Sequence, residues 1–172
     1  MIPVVSVVGK SNVGKTTFLV KLIAELKKRG RRVAVIKHNV HDFEIDHPGK
    51  DTYRHADAGA DAVAIASPHK MAVIKKLEAE MSVRDVIAAI GPGYDIVLTE
   101  GYKRGPYPKV EVSRKAVSEE LLSSAMELVA VVTDNVFPVE RPHFALDDAS
   151  GVADLLEEKF IKTKGKHGSA LR

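Results

Sequence analysis

Short aliphatic and β-branched runs alternate along this chain with segments whose apolar residues recur every three or four positions. Runs of the first kind are typical of buried strands. They lie at residues 4–8, 32–37, 95–99, 110–113 and 128–132. Segments of the second kind are typical of helices. They lie at residues 15–29, 51–58, 82–90, 118–125 and 147–160. Strands that alternate with helices indicate a mostly parallel sheet covered by helices.

Two further apolar runs, at residues 62–66 and 71–74, are joined by Ser67-Pro68-His69-Lys70. Serine and proline in so short a connection favour a turn, so we predict an antiparallel hairpin. The pattern as a whole predicts a three-layer α/β domain, with a mostly parallel sheet and an added antiparallel hairpin.

Composition narrows this prediction only slightly. The chain has 172 residues, 45% of them hydrophobic, which suits one globular domain over residues 1–161. The basic residues Lys162, Lys164, Lys166 and Arg172 predict a flexible tail over residues 162–172. A net charge of +3 gives no argument for binding nucleic acid or membranes, and we expect neither. The chain has no cysteine, no apolar run long enough to span a bilayer and no signal peptide, so we expect a cytoplasmic protein.

The segment between the first strand and the first helix, Gly9-Lys10-Ser11-Asn12-Val13-Gly14-Lys15-Thr16, matches the phosphate-binding pattern G-x-x-x-x-G-K-[ST]. Its glycines allow a tight turn close to phosphate oxygens, and the helix that follows presents its positive end to them. We predict that Lys15 contacts the β- and γ-phosphates and that Thr16 binds Mg²⁺. The fold is therefore of the P-loop NTPase type. The predicted nucleotide-binding residues here are Gly9, Lys10, Ser11, Asn12, Val13, Gly14, Lys15, Thr16 and Thr17.

A second chemical feature is Glu100, which follows the apolar run 95–99. A carboxylate at the end of a strand beside a P-loop binds Mg²⁺ or one of its waters. We therefore predict that Glu100 serves the metal together with Thr16.

The polar segment 38–50 is rich in histidine and acidic residues. The spacing of His38 and His41 resembles that of zinc ligands, although no cysteine supports a zinc site. We favour a loop near the γ-phosphate, where Asp42 or Asp46 meets Mg²⁺ or the attacking water. Asp46 is therefore included among the predicted metal ligands.

The base of the nucleotide is harder to assign, because the Asn-Lys-x-Asp signature of guanine recognition is missing. Asp134 follows the run 128–132, where its carboxylate could accept hydrogen bonds from the amine and ring N–H of guanine. The same residue could equally form an Asx turn. We include Asp134 among the predicted nucleotide-binding residues and keep both interpretations.

Several short motifs then occur in a fixed order, which is much more specific than a P-loop alone. They are Gly14-Lys15-Thr16-Thr17, Ile36-Lys37-His38, His41-Asp42-Phe43, Asp46, Pro48-Gly49-Lys50-Asp51, Arg54, Ala58-Gly59-Ala60 and Thr99-Glu100-Gly101-Tyr102-Lys103. In this order, over about residues 2–160, the chain resembles the MobB family of molybdopterin-guanine dinucleotide biosynthesis adaptor proteins.

The resemblance implies a GTP-binding homodimer with at most slow GTPase activity. It also implies association with the guanylyltransferase that attaches GMP to molybdopterin. The family often has glycine where this chain has Asn12-Val13, a departure that leaves phosphate binding intact. Lys10 stands where related dimeric ATPases place a lysine that reaches across to the partner, but we expect it to be solvated here. The loop 101–108 is either an ordinary exposed loop or one that faces molybdopterin or the partner protein.

Three alternatives remain open at this point. A small-molecule kinase normally has an arginine-rich lid, for which Lys103-Arg104 is the nearest substitute in this chain. The second alternative is a regulatory GTPase, although the absence of the Asn-Lys-x-Asp signature argues against it. The third is a scaffold whose P-loop binds only an anion.

Overall fold

The computed structural model describes residues 2–39 and 43–161 of the chain. Two compact units are present, Met1–His38 with Gly91–Arg172, and Asn39–Ile90. The extent of the domain, 1–161, remains a prediction, and the basic tail at 162–172 lies outside the described residues. Among the described residues, no helix is both long and apolar enough to cross a bilayer.

The first unit is built on a six-stranded sheet. Its strands are β1 Val4–Val8, β2 Val33–Lys37, β5 Ile96–Glu100, β6 Lys109–Ser113, β7 Leu128–Thr133 and β8 His143–Phe144. The spatial order is β2-β5-β1-β6-β7-β8, and every neighbouring pair is parallel. The carboxyl ends of all six strands therefore meet at one edge of the sheet. Strand β1 lies between β5 and β6. The chain leaves its carboxyl end at the position where sheets of this type bind ligands.

Helices α1 Lys15–Lys28 and α4 Ala149–Lys159 cover one face of this sheet. On α1 the buried residues Phe18, Leu19, Leu22 and Leu26 form the apolar stripe that the sequence spacing predicts. They pack against alternate residues of the strands, and α4 completes the same core.

Asp148 caps α4, because its carboxylate accepts a hydrogen bond from the Gly151 N–H at 2.8 Å. A smaller cluster of Leu128, Val131 and Phe137 forms a second core.

The second unit contains α2 Asp51–Asp57, β3 Ala62–Ala66, β4 Met71–Lys75 and α3 Val83–Ile90. Strands β3 and β4 pair antiparallel, with Ala64 opposite Val73, and form a two-stranded sheet of their own. The mostly parallel sheet and the added antiparallel hairpin are thus confirmed. Ser82 caps α3 as predicted, since its hydroxyl accepts a hydrogen bond from the Asp85 N–H at 3.2 Å.

Residues 118–125 do not form the predicted helix; they form turns and bends. The reason is the buried carboxylate of Glu111 on β6, which accepts hydrogen bonds from the N–H groups of Leu122 and Ser123 at 2.6 and 2.9 Å. These bonds satisfy backbone groups that a helix would have used, and they stabilise a charge that is only 1% exposed. The short strand β8 was not predicted, because two residues carry no periodic signal.

Candidate functional site

The glycine loop between β1 and α1 is held in a conformation that few side chains would permit. Three of its six residues from Gly9 to Gly14 have positive φ angles: 144° at Gly9, 63° at Asn12 and 95° at Gly14. Asparagine tolerates the left-handed region better than most residues, which explains why Asn12 can stand here without glycine. A Cβ atom on Gly9 would lie 2.2 Å from the backbone oxygen of Val112 on β6. Gly9 is therefore required by the close approach of the loop to the neighbouring strand.

Lys15, the first residue of α1, folds its side chain back over the loop. Its ammonium group donates hydrogen bonds to the carbonyl oxygens of Lys10 and Gly9 at 2.7 and 3.1 Å. Burial lowers the pKa of Lys15; the Glu100 carboxylate opposes this effect, and the charges of Lys103 and Lys37 add to it. Among the described residues, Lys15 thus has two further lysines and one carboxylate around it, and this positive balance favours an anionic ligand.

Glu100 ends β5, directly beside the loop that follows β1. Its carboxylate accepts a hydrogen bond from the Thr16 hydroxyl at 2.7 Å, and its side chain is only 11% exposed. The backbone on either side is fixed as well, since Gly101 N–H donates to Val7 O at 3.1 Å and His38 N–H donates to Glu100 O at 2.9 Å. A hydroxyl and a carboxylate that touch at the start of α1 are the two ligands expected of a P-loop magnesium site.

A pocket of about 470 Å³ lies over this loop. It is lined by Ser11, Asn12, Gly14, Lys15, Thr16, Thr17 and Glu100. These residues were all predicted to bind the nucleotide or its metal. Three other residues of the glycine loop that were predicted to bind the nucleotide do not line it: Gly9 packs on β6, Val13 is buried in the core, and Lys10 contributes its carbonyl oxygen to the Lys15 side chain.

Two further acidic residues, Asp134 and Asp46, were predicted to bind the nucleotide and the metal. Asp134 follows β7, at the same edge of the sheet, where its carboxylate accepts a hydrogen bond from the Lys115 N–H at 2.7 Å. This bond links the ends of β6 and β7 and is not an Asx turn.

Asp46 belongs to the second unit, where hydrogen bonds from the Thr52 side chain and the His47 N–H lower the pKa of its carboxyl. The roles of Asp46 and of the segment 38–50 stay predictions, because His41 and Asp42 lie outside the described residues.

The chain turns sharply after Glu100. Gly101 and Tyr102 have φ angles of 101° and 53°, and the Tyr102 ring stacks on the His38 ring with 4.4 Å between centroids. A hydrogen bond of 2.9 Å from Gly105 N–H to Tyr102 O closes a turn around Lys103 and Arg104. This part of the loop 101–108 is therefore braced against the end of β2, next to Glu100.

Two cationic residues at this edge were missed by sequence reasoning. The Lys37 ammonium lies 3.9 Å from the Glu100 carboxylate, and an Arg114 Nη2 atom lies 3.5 Å from where a Cβ on Gly14 would stand. Each directly follows or ends a predicted strand, so a systematic check for basic residues at strand ends would have found both.

Comparisons with known proteins agree with this geometry. The family model of "Molybdopterin guanine dinucleotide synthesis protein B", MobB, matches residues 4–134. The molybdopterin-guanine dinucleotide biosynthesis adapter protein of Haemophilus influenzae is 32% identical, over 91% of this chain and 88% of its own. Its counterpart in Escherichia coli is also 32% identical, over 96% and 97%. The crystal structure of Bacillus subtilis MobB superposes with a TM-score of 0.74 at 28% identity, covering 95% of this chain and all of that one.

Proposed function

This chain belongs to the MobB family, and we propose that it is an adapter in molybdopterin-guanine dinucleotide biosynthesis that binds GTP and Mg²⁺. In this role it assists the guanylyltransferase that attaches GMP to molybdopterin. The observation that carries the proposal is the contact between Thr16 and Glu100 beneath the P-loop, because it places the two predicted metal ligands next to the phosphate pocket. The relatives are adapter proteins by name, which supports the same role here.

The residues of the pocket fit Mg²⁺ better than a metal held by protein side chains alone. Among residues 2–39 and 43–161, no cluster of three or more His, Asp or Glu side chains is placed to hold a metal. Mg²⁺ needs no such cluster, since it keeps several waters and takes its other ligands from substrate phosphates and one or two protein oxygens. Thr16 and Glu100 would supply those protein oxygens, and the ion would neutralise charge on the β- and γ-phosphates.

Glu100→Gln tests the metal site. Glutamine keeps the size of the side chain and can still accept the Thr16 hydrogen bond, but it removes the charge that favours Mg²⁺. We expect the gain in GTP affinity on adding Mg²⁺ to fall about tenfold, measured by titrating GTP with Mg²⁺ and with a chelator. Glu158→Gln, an exposed residue of α4, is the control and should keep the gain. Unchanged Mg²⁺ dependence in Glu100→Gln would show that Glu100 does not serve the metal.

We place the guanine base near Asp134. Two strands, β1 and β6, separate β7 from β5, so the Asp134 carboxylate is held at the end of the sheet edge away from Glu100. The hydrogen bond from Lys115 N–H fixes that carboxylate and leaves its second oxygen for a ligand. A carboxylate selects guanine because guanine presents adjacent N–H donors, whereas adenine presents an acceptor at the corresponding ring nitrogen.

We also propose that the protein is a homodimer. On one face of the hairpin, Met71 and Val73 are 69% and 57% exposed, although strands of this composition are normally buried. Single exposed apolar side chains are common on monomers, whereas neighbouring ones form a patch that indicates an interaction site. A second copy of the chain would cover this patch.

Sedimentation of the protein mixed with molybdopterin guanylyltransferase tests the adapter role. We expect the two proteins to form a complex, and its affinity should differ by no more than about fivefold between the GTP-bound and the GDP-bound protein. A regulatory GTPase couples partner binding to the bound nucleotide, whereas an adapter does not need this coupling. A strong preference for one nucleotide would support the regulatory GTPase, and no complex in any state would contradict the adapter. The mass of the free protein in the same run reports whether it is a dimer.

A further inference from the structure

Arg114 follows the last residue of β6 and lies against the P-loop. One of its guanidinium nitrogens is 3.5 Å from the position of a Cβ on Gly14, while Val112, two residues earlier, presses its carbonyl oxygen against Gly9. The end of β6 therefore approaches the loop at both of its glycines. This arrangement carries a positive charge to the rim of the phosphate pocket.

The backbone that carries Arg114 is firmly held. The N–H groups of Val117 and Ser118 both donate to the Arg114 carbonyl oxygen, at 2.8 and 3.0 Å. The next residue, Lys115, is tied through its own N–H to the Asp134 carboxylate. A side chain on so constrained a backbone loses less conformational freedom when it binds a ligand than one on a mobile loop would.

The guanidinium group itself is exposed, and within the described part of the chain it makes no ion pair or hydrogen bond. Other arginines of this protein are used differently: Arg29, for example, binds the carboxylates of Glu25, Asp154 and Glu157. An arginine fork left without a carboxylate beside a phosphate-binding loop is suited to bind an anion of its own.

The strand order indicates which part of the nucleotide lies there. Along the ligand edge the sequence is β5 with the magnesium pair, β1 with the P-loop, β6 with Arg114 and β7 with Asp134. Adjacent strands are about 4.8 Å apart, so β5 to β7 span about 14 Å, which an extended nucleoside triphosphate can bridge. Thr16 and Glu100 would hold Mg²⁺ and with it the β- and γ-phosphates at one end, and the base would lie at the other. Arg114 is between them, at the level of the α-phosphate.

We propose that Arg114 binds the α-phosphate of the guanine nucleotide and so forms a second phosphate contact, independent of Lys15 and Mg²⁺. This inference rests on the proposed GTP binding. Because GTP and GDP share the α-phosphate, Arg114 contributes equally to the binding of both, whereas a residue on the γ-phosphate would distinguish them.

Calorimetric titration of the wild type, Arg114→Ala, Arg114→Lys and Lys21→Ala with GTP and with GDP tests the inference. We expect Arg114→Ala to weaken both nucleotides by the same factor, about tenfold or more, as the loss of a charge-assisted contact implies. Arg114→Lys should restore part of this loss, because a lysine keeps the charge without the fork. Lys21→Ala is the control, since it removes an exposed positive charge that is not part of the pocket and should bind like the wild type.

Three results would overturn the inference. They are unchanged binding in Arg114→Ala, a loss confined to GTP, and an equal loss in Lys21→Ala, which would indicate a general electrostatic effect. If the wild type binds neither nucleotide, the proposed function itself fails and the inference falls with it. Unchanged thermal unfolding of the variants would show that any loss of binding is not a loss of folding.

Discussion

Gly9→Ala is expected to be among the most destabilising single substitutions in this protein, costing about 3 kcal/mol or more of unfolding free energy. The new Cβ would stand 2.2 Å from the Val112 carbonyl oxygen, and that oxygen belongs to a central strand that cannot move aside. The φ angle of 144° adds strain, because residues with a Cβ rarely adopt it. Urea denaturation followed by circular dichroism gives the midpoint and the free energy.

Gly30→Ala is the matched control for this substitution. Gly30 also has a positive φ angle, 77°, but a Cβ there would meet nothing within 4 Å. It should therefore cost only the strain of the left-handed conformation, about 1 kcal/mol. Equal losses in the two variants would mean that the contact with Val112 is not what demands glycine at position 9. Failure of Gly9→Ala alone to accumulate as folded protein would agree with the expected result.

Lys15→Ala is expected to weaken GTP binding about 100-fold, since charge-assisted hydrogen bonds to phosphate are among the strongest polar contacts. The Lys15 ammonium now donates to two carbonyl oxygens of the loop, and a bound phosphate would offer it a charged partner instead. Burial lowers the pKa of Lys15, and the negative charge of a phosphate would raise it again. Titration calorimetry with Mg²⁺ and GTP measures the change.

Lys21→Ala supplies the comparison for Lys15→Ala, because it removes an exposed lysine of the same helix that is not part of the pocket. Its GTP affinity should equal that of the wild type. If Lys15→Ala bound GTP as tightly as the wild type, Lys15 would not contact the phosphates. If both variants unfolded at the same temperature as the wild type, a loss of GTP affinity in Lys15→Ala would come from the binding site and not from a loss of stability.

The parts of the site that could be predicted from the sequence are those encoded by neighbouring residues. The glycine loop follows an apolar run and precedes an apolar stripe, so its place between β1 and α1 is local information. Glu100 could be paired with Thr16 across 84 positions only because parallel strands bring their carboxyl ends to one edge. The contact of 2.7 Å follows from that rule and from β5 being the neighbour of β1.

The parts that could not be predicted depend on contacts between distant segments. The turns at 118–125 form because the Glu111 carboxylate, buried on β6, takes the N–H groups of Leu122 and Ser123; the local sequence favours a helix there. Arg114 reaches Gly14 across 100 positions of sequence, and only the adjacency of β1 and β6 brings them together. Neither the acid nor the arginine belongs to a motif that marks its role.

The rival functions remain distinguishable. A small-molecule kinase needs cations that close over the phosphates. Lys103 and Arg104 lie instead in a turn after Glu100 that is closed by the hydrogen bond from Gly105 N–H to Tyr102 O. Such a protein would prefer ATP and would transfer its γ-phosphate to an acceptor. A scaffold that binds only an anion would show no preference between bases, because the P-loop contacts phosphates alone.

The most direct test of the account is calorimetric titration of the Mg²⁺-loaded wild-type protein with GTP and, separately, with ATP. We expect GTP binding in the submicromolar to micromolar range and clearly weaker binding of ATP, because the proposed contact with the Asp134 carboxylate would use adjacent N–H donors that guanine presents and adenine does not. Tighter binding of ATP, or no binding of either nucleotide, would contradict the assignment of this site to GTP.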